Sequence, residues 1–555
     1  MAGNGHIRCC PSFVKSRPLY SIQQLIARIT EKAAHWIEDS QERLVRFEGT
    51  AERISNRYPL LLIGGISALY LVVTVELARR KLIWTDEFFT LFFGRLSAGE
   101  LWKALVMGGD SHPPSFYLMH HILLRTFGEH PWALRLPAIL GFLLMMLCVY
   151  QFVAKRTSVA YGLVAMLMPL ATVAYEFSYE ARGYSLLLGF VALAVLCWQQ
   201  AGERRWRTVA ILGFGAGVNA AVLSHYYTVF LLPAIAAAEA VRSLRCKSWS
   251  PGIWLAMCSP VIPLMAFLPV IKTASGYAAT FWGKASLSEI HRYYESILGS
   301  AVTCLLFCFA VAGLYRVLCY RNRNSALTES KTFPVEEIVL GIALASAPVI
   351  AYFFGKAITG VFVWHYAIGG VVGIAILFGF FCFRLFRASA TAAWLIVLVI
   401  ATSFLVTARM NMRTMADGQA SLRDLIGWLT STGNQSEPLI IGDSQSFYVL
   451  SYYSPPAMKD RYVYLADTQR SLKYLGQDSP DRSLSLLCRW FGVNVKPYGL
   501  YVESHPEMTV WIPPNPKWIW LLSALIDDGE KLTVIGRNGT SILFSASGAE
   551  FRREH

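Results

Sequence analysis

The residues best suited to chemistry lie between the first two apolar segments: Trp84-Thr-Asp-Glu-Phe-Phe-Thr90, then Ser97-Ala-Gly-Glu100, then Ser111-His-Pro-Pro-Ser-Phe-Tyr117. Asp86 and Glu87 are adjacent acids just after an apolar run, and a carboxylate placed there can accept the proton of an attacking hydroxyl. The plainer alternative is a helix cap or a topology marker. His112 follows in the same loop. A second cluster, Tyr175-Glu-Phe-Ser-Tyr-Glu-Ala-Arg-Gly-Tyr184, puts Glu180 and Arg182 in a tight turn between apolar segments, where an unpaired charge is expensive. They are expected to pair with each other or with a charged ligand, a plain interfacial salt bridge being the alternative. His225 at a later turn, then Lys356, His365 and Tyr366 near the last one, add polar groups. Each is weak alone, since a single His between spans commonly serves only as a hydrogen-bonded interfacial residue.

The elements that must position these groups are set by composition. Of 555 residues, 55% are hydrophobic and 15% charged, against about 45–50% and 25% in soluble domains. This is a polytopic α-helical membrane protein. Apolar runs long enough to cross about 30 Å of hydrocarbon recur eleven times, near 58–77, 132–153, 159–176, 184–200, 208–223, 226–241, 252–271, 297–319, 336–354, 362–383 and 391–408. Alternate short loops carry Lys155, Arg156, Arg204, Arg205, Arg207, Arg242, Arg245, Lys247, Arg316, Arg321, Arg323, Lys331, Arg384 and Arg387. By the positive-inside rule these loops are cytoplasmic. The N-terminus is then inside, and residues 410–555 lie outside, with all the candidate residues on the outer face. The net charge of +14 belongs to the apolar part, because residues 410–555 hold fourteen basic and fifteen acidic residues. A nucleic-acid binder would instead show a basic soluble face.

The pattern divides the chain into a tail at 1–57, a membrane domain at 58–409 with a long first outer loop at about 78–131, and an extracytoplasmic α/β domain at 410–555. In the tail, Ile22, Leu25, Ile26, Ile29, Ala33, Trp36, Ile37, Leu44 and Phe47 keep helical spacing, either lying on the inner leaflet or packed against loops. Ser97 with Glu100 forms a capping box that opens a short helix closed by Gly108-Gly109, and Pro113-Pro114 starts another that runs to Gly128. The outer block alternates a helical stretch around Leu422–Leu429 with strand-like runs at 438–441, 462–465 and 531–535. Gly213-Phe-Gly-Ala-Gly217 lies inside a span and reads as close helix packing, not a nucleotide loop. Cys304 and Cys308, one turn apart, read as packing residues. Asn434 and Asn538 match the glycosylation acceptor pattern without specificity.

Asp86-Glu87, His112-Pro113-Pro114, Glu129 with Arg135, and Tyr179-Glu-Ala-Arg-Gly-Tyr184 together resemble the GT-C polytopic glycosyltransferases. The closest branch is glycosyltransferase family 39, with protein O-mannosyltransferases, lipid A aminoarabinose transferases and rhizobial galacturonosyltransferases. The resemblance covers about 58–408 and implies transfer of one sugar from a polyprenyl-phosphate donor to a lipid A, polysaccharide or protein acceptor, outside a bacterial inner membrane. It implies Asp86 as catalytic base with Glu87 beside it, and donor or acceptor contacts from His112, Glu180, Arg182, Tyr184, His225, Lys356, His365 and Tyr366. His112 and His365 stand where relatives carry basic residues, so phosphate contacts there are less secure. The chemistry agrees: one base without a second nucleophile predicts inversion, and a departing phosphate needs fixed cations, here Arg182 and Lys356. No cofactor is firmly implied. The outer carboxylates leave room for a divalent cation but show no metal-ligand spacing. The rival readings are a lipid flippase or transporter, which would place polar groups at mid-span, and a non-catalytic scaffold.

Overall fold

A computed structural model describes residues 22–203, 205–319, 332–432, 437–514 and 519–548. Cys9, Cys10, Arg204, Arg321, Arg323, Lys331 and Asn434 lie outside the described residues.

Each apolar segment read from the sequence is helical. Six helices are long and apolar enough to cross a membrane: Pro59–Arg80, Pro131–Ala154, Tyr184–Ala201, Arg207–Ser224, Tyr226–Cys246 and Ala390–Ser431. Four further segments are helix pairs bent by more than 40°, and Gly370–Leu385 is a shorter apolar helix. Among the described residues this makes six crossings, or ten if each bent pair counts as one, against eleven expected. Prolines open the helices at Pro59, Pro114 and Pro131, where a fixed φ helps and the missing N–H costs nothing. Where Pro169 falls inside a span, the helix tightens and breaks at Thr172, whose hydroxyl takes over the next start by accepting from Ala174 N. The chain bends there by 79° and delivers the turn at residues 180–183.

Close helix packing follows small residues. A side chain at Gly189 would meet Gly141 O at 2.3 Å, and Gly213 and Gly217 lie against Cys197 and Ala194 of the neighbouring helix. Cys304 and Cys308 are buried in the bundle core. The described part of the tail is one helix, Ile22–Arg57, with Ile29 and Phe47 exposed on it. Its buried Glu48 closes the start of the last helix, accepting from Ala390 N at 2.7 Å, Thr391 N at 3.2 Å and Ser389 Oγ at 2.8 Å.

The last helix runs straight through the expected boundary near 410. Ala390–Ser431 is a continuous 42-residue rod, and the helical stretch at 422–429 is its outer end. Beyond it stands a six-stranded sheet in the order β3-β2-β1-β4-β6-β5, made of β1 (Leu439–Ile441), β2 (Tyr462–Ala466), β3 (Val495–Pro497), β4 (Glu507–Ile512), β5 (Lys531–Asn538) and β6 (Ser541–Ser547). β1 to β4 are parallel, and β6 is antiparallel to β4 and β5. The chain leaves β1 toward β2 and β3, then returns to its other side as β4. Such a reversal opens a crevice at the carboxyl ends of the strands.

The first outer loop holds three helices, not two. Ala98–Val106 opens with the expected capping box, and Pro114–Phe127 closes at Gly128 with φ 75°. The third, Thr85–Arg95, places Asp86 and Glu87 in its first turn. Its aromatic face packs on the outer domain: Phe88 and Tyr448 rings lie 5.7 Å apart, Phe92 and Phe491 4.7 Å. Such pairs add about 0.5–1.5 kcal/mol each beyond area burial. Loop and outer domain thus share one hydrophobic core, separate from that of the bundle.

Candidate active site

A cavity of about 540 Å³ lies where the loop helices, the turn at 180–184, the segment at 365–366 and the outer domain meet. Its membrane-side wall carries Trp84, Asp86, Asp110, His112, Glu180, Arg182, Tyr184, His365 and Tyr366. Among the described residues, Arg182 is the one Lys or Arg that lines it.

Arg182 is held from four sides. Its Nη1 donates to Asp86 O at 3.1 Å and lies 3.6 Å from Asp110 Oδ2; its Nη2 contacts His112 Nδ1 at 3.1 Å; its Nε is 3.9 Å from Asp86 Oδ2. A guanidinium only donates, so His112 Nδ1 accepts, and the neutral ring carries its proton on Nε2. The 3.5 Å from His112 Nδ1 to Asp110 is too long to compete. Burial and the Arg182 charge push His112 below the ordinary imidazole value. Asp110 also accepts from the Tyr117 hydroxyl. Burial works to raise its carboxyl, but the Arg182 charge and the Tyr117 hydroxyl prevail and hold it well below the usual range.

Asp86 differs. Its side chain is 41% exposed, opening on the cavity. Burial of the site raises its carboxyl above the ordinary value, Arg182 pulls it down, and the Asp110 charge adds to the rise.

Glu87 turns the other way. Expected beside Asp86 in the site, it is wholly buried and does not line the cavity. Arg135 grips it through Nε at 2.7 Å and Nη2 at 2.6 Å, and spends its remaining donors on the carbonyls of Ala78, Lys81 and Leu82. Glu87 also accepts from Ala181 N at 2.7 Å, while Thr90 Oγ1 donates to Ala181 O at 2.7 Å. One helix thus clamps both backbone groups of the residue before Arg182. Gly183 completes the turn, because a Cβ there would meet Ser224 O at 2.4 Å.

Two other expectations change. Glu180 pairs with Lys81 at the end of the first span, not with Arg182. Lys356 does not reach the cavity: it is exposed, and its Nζ rests 3.4 Å from Tyr352 Oη. His365 lines the cavity, its ring 5.2 Å from Tyr184 and 5.0 Å from Tyr366. His225 sits just behind the lining, its ring 5.1 Å from His112, 5.2 Å from Tyr184 and 5.5 Å from Tyr366. No group of three His, Cys, Asp or Glu suited to a metal occurs among the described residues.

Sequence reading missed Asp110 and the outer-domain wall: Ser444, Gln445, Tyr448, Gln477, Ser479, Pro480 and Ser483. Asp110 had a local signal, lying two residues before His112. The outer wall had none, since Ser and Gln at helix starts are ordinary.

The arrangement is that of a GT-C membrane protein. Residues 111–271 match the family described as Dolichyl-phosphate-mannose-protein mannosyltransferase. The fold is similar to that of ArnT from Cupriavidus metallidurans bound to undecaprenyl phosphate, with TM-score 0.52 at 12% identity over 88% of this chain and 97% of that one. The apo form of the same protein gives 0.49 at 13% identity over the same shares. An oligosaccharyltransferase from Archaeoglobus fulgidus gives 0.37 at 11% identity, over 80% of this chain and 67% of that one. No curated protein matches the chain by sequence. The chain thus has the GT-C fold, with a segment similar to the mannosyltransferase family.

Proposed function

We propose that the protein transfers a single sugar from a polyprenyl-phosphate donor to a lipid, polysaccharide or protein acceptor on the outer side of a bacterial inner membrane. The observation that carries this reading is one cavity holding an open carboxylate, Asp86, 3.9 Å from the cavity's one cation, Arg182. Asp86 takes the proton of the acceptor hydroxyl as its oxygen attacks the anomeric carbon. The bond from that carbon to the phosphate oxygen breaks, and the phosphate leaves toward Arg182. His112 Nε2, buried without a partner, is a second donor for it. One displacement inverts the anomeric carbon. Glu87 acts through Ala181 and Arg135 as a positioning residue. The similarity to a protein solved with undecaprenyl phosphate supports a lipid-linked donor. The fourteen Lys and Arg of alternate loops support a cytoplasmic N-terminus and a periplasmic outer domain.

The test is to incubate the full-length protein with a panel of polyprenyl-phosphate sugars and acceptors, comparing wild type with Asp86→Asn. Near-total loss in the variant supports a hydroxyl acceptor, and mild loss an acceptor already ionised. Absence of transfer and of donor hydrolysis across the panel overturns the reading, and transbilayer movement of the lipid without chemistry replaces it with a flippase.

A further inference from the structure

The two walls of the cavity differ in kind. The membrane wall presents Asp86, Asp110, Glu180 and Arg182, whereas the outer-domain wall presents no charged side chain. Its groups are the hydroxyls of Ser444, Ser479 and Ser483 and the amides of Gln445 and Gln477, facing a cavity that also exposes the rings of Trp84 and Trp282. These segments lie at the carboxyl ends of the parallel strands. Asp443 stands two residues after β1 and caps the helix Ser444–Tyr453, accepting from Gln445 N and Ser446 N with Oδ1. This is the end of the sheet where the strand order reverses, the place where open α/β sheets bind ligands.

Two polar atoms of this wall are buried without hydrogen-bond partners: Gln477 Oε1 and Tyr448 Oη. Gln477 is 3% exposed and lines the cavity. An unmet buried polar atom is costly, and two on the same wall mark an unfinished site. The Gln477 oxygen only accepts, whereas the Tyr448 hydroxyl can donate or accept. A ligand that completes them must bring a donor to Gln477, and an anionic group there would meet an acceptor and no cation of this wall.

We propose that this crevice binds the hydroxyls of a non-anionic sugar ring, with Gln477 and Ser444 as its principal contacts, so that the outer domain reads the sugar while Arg182 holds the phosphate. This rests on the glycosyltransferase reading and names its substrate class. The ring belongs to the donor or to a glycan acceptor.

The test uses full-length protein in lipid nanodiscs and follows binding by tryptophan fluorescence, Trp84 and Trp282 lining the cavity. The probes are bare polyprenyl phosphate, polyprenyl-phosphate mannose, the corresponding uronic acid donor, and methyl mannoside beside methyl glucuronide. Wild type is expected to bind the neutral sugar more tightly than the uronic acid. Gln477→Ala and Ser444→Ala are each expected to weaken the neutral sugar about fivefold, the worth of roughly 1 kcal/mol. Both should keep the affinity for bare polyprenyl phosphate, which shows that the variants are folded. A loss confined to polyprenyl-phosphate mannose assigns the ring to the donor; a loss confined to methyl mannoside assigns it to the acceptor. The proposal falls if wild type prefers the uronic acid or does not discriminate, or if both variants retain full affinity for the neutral sugar. Failure of the underlying activity looks different: discrimination persists, but no sugar is transferred, or bare polyprenyl phosphate does not respond to Arg182→Ala.

Discussion

The two ends of the helical bundle use carboxylates in opposite ways. At the tail end, Glu48 has both oxygens engaged: two backbone N–H groups, the Ser389 hydroxyl and the Tyr315 hydroxyl, which donates at 2.9 Å. At the outer end, Asp86 keeps its carboxylate open to a cavity, while its neighbour Glu87 is as fully engaged as Glu48. A carboxylate whose oxygens are all bonded is an anchor, and reorganising it costs those bonds. A carboxylate with one loose ionic neighbour is available for a proton. Satisfaction, not residue type or sequence position, separates the anchors from the open carboxylate.

The sharpest way to break this contrast is Asp86→Asn, which keeps size and shape. Turnover is expected to fall by about 10²–10⁴, with no drop in melting temperature. A lower melting temperature would place Asp86 with the anchors. The next largest effect is on stability: Glu87→Ala leaves Arg135 buried and unpaired and is expected to cost about 3–5 kcal/mol, read from the thermal midpoint in detergent. Replacing Glu87 and Arg135 together with Met should recover much of that stability while activity stays low, because Ala181 N remains unclamped. Glu48→Ala should cost less, about 0.5–2 kcal/mol for a lost cap, and leave the KM for the donor unchanged.

The pH profile gives a smaller and finer test. Asp86 must be ionised to accept a proton, so activity is full above its pKa and falls as pH drops through it. Burial raises that pKa, so the acid limb should lie above the ordinary aspartate value of about 3.9. Asp110→Asn removes the like charge that adds to the rise, and should move the limb toward lower pH. A limb that does not move would show that Asp110 is not electrostatically coupled to the base.

Much of the site was readable because its signals are local. The capping box at Ser97 and Glu100, the helix from Pro114 to Gly128 and the turn around Arg182 each depend on residues within a few positions. Pairings across the chain were not readable. Glu180 to Lys81 spans 99 residues and Tyr117 to Asp110 only seven, but both are set by where a helix face points after packing. Lys356 shows the converse error: a place in a loop at the same end of the bundle is not proximity to the site.

By itself the sequence determined a membrane bundle, the side on which its polar loops gather, and the identity of Asp86 and Arg182 as candidates. It could do so because hydropathy, loop charge and capping are short-range properties of the chain. Tertiary structure alone decided that Glu87 is an anchor and Asp86 is open, although they are adjacent. It also decided that a 42-residue helix carries a sheet whose crevice closes the cavity. Those outcomes turn on which side chains find partners, and partners are supplied by elements far apart in sequence.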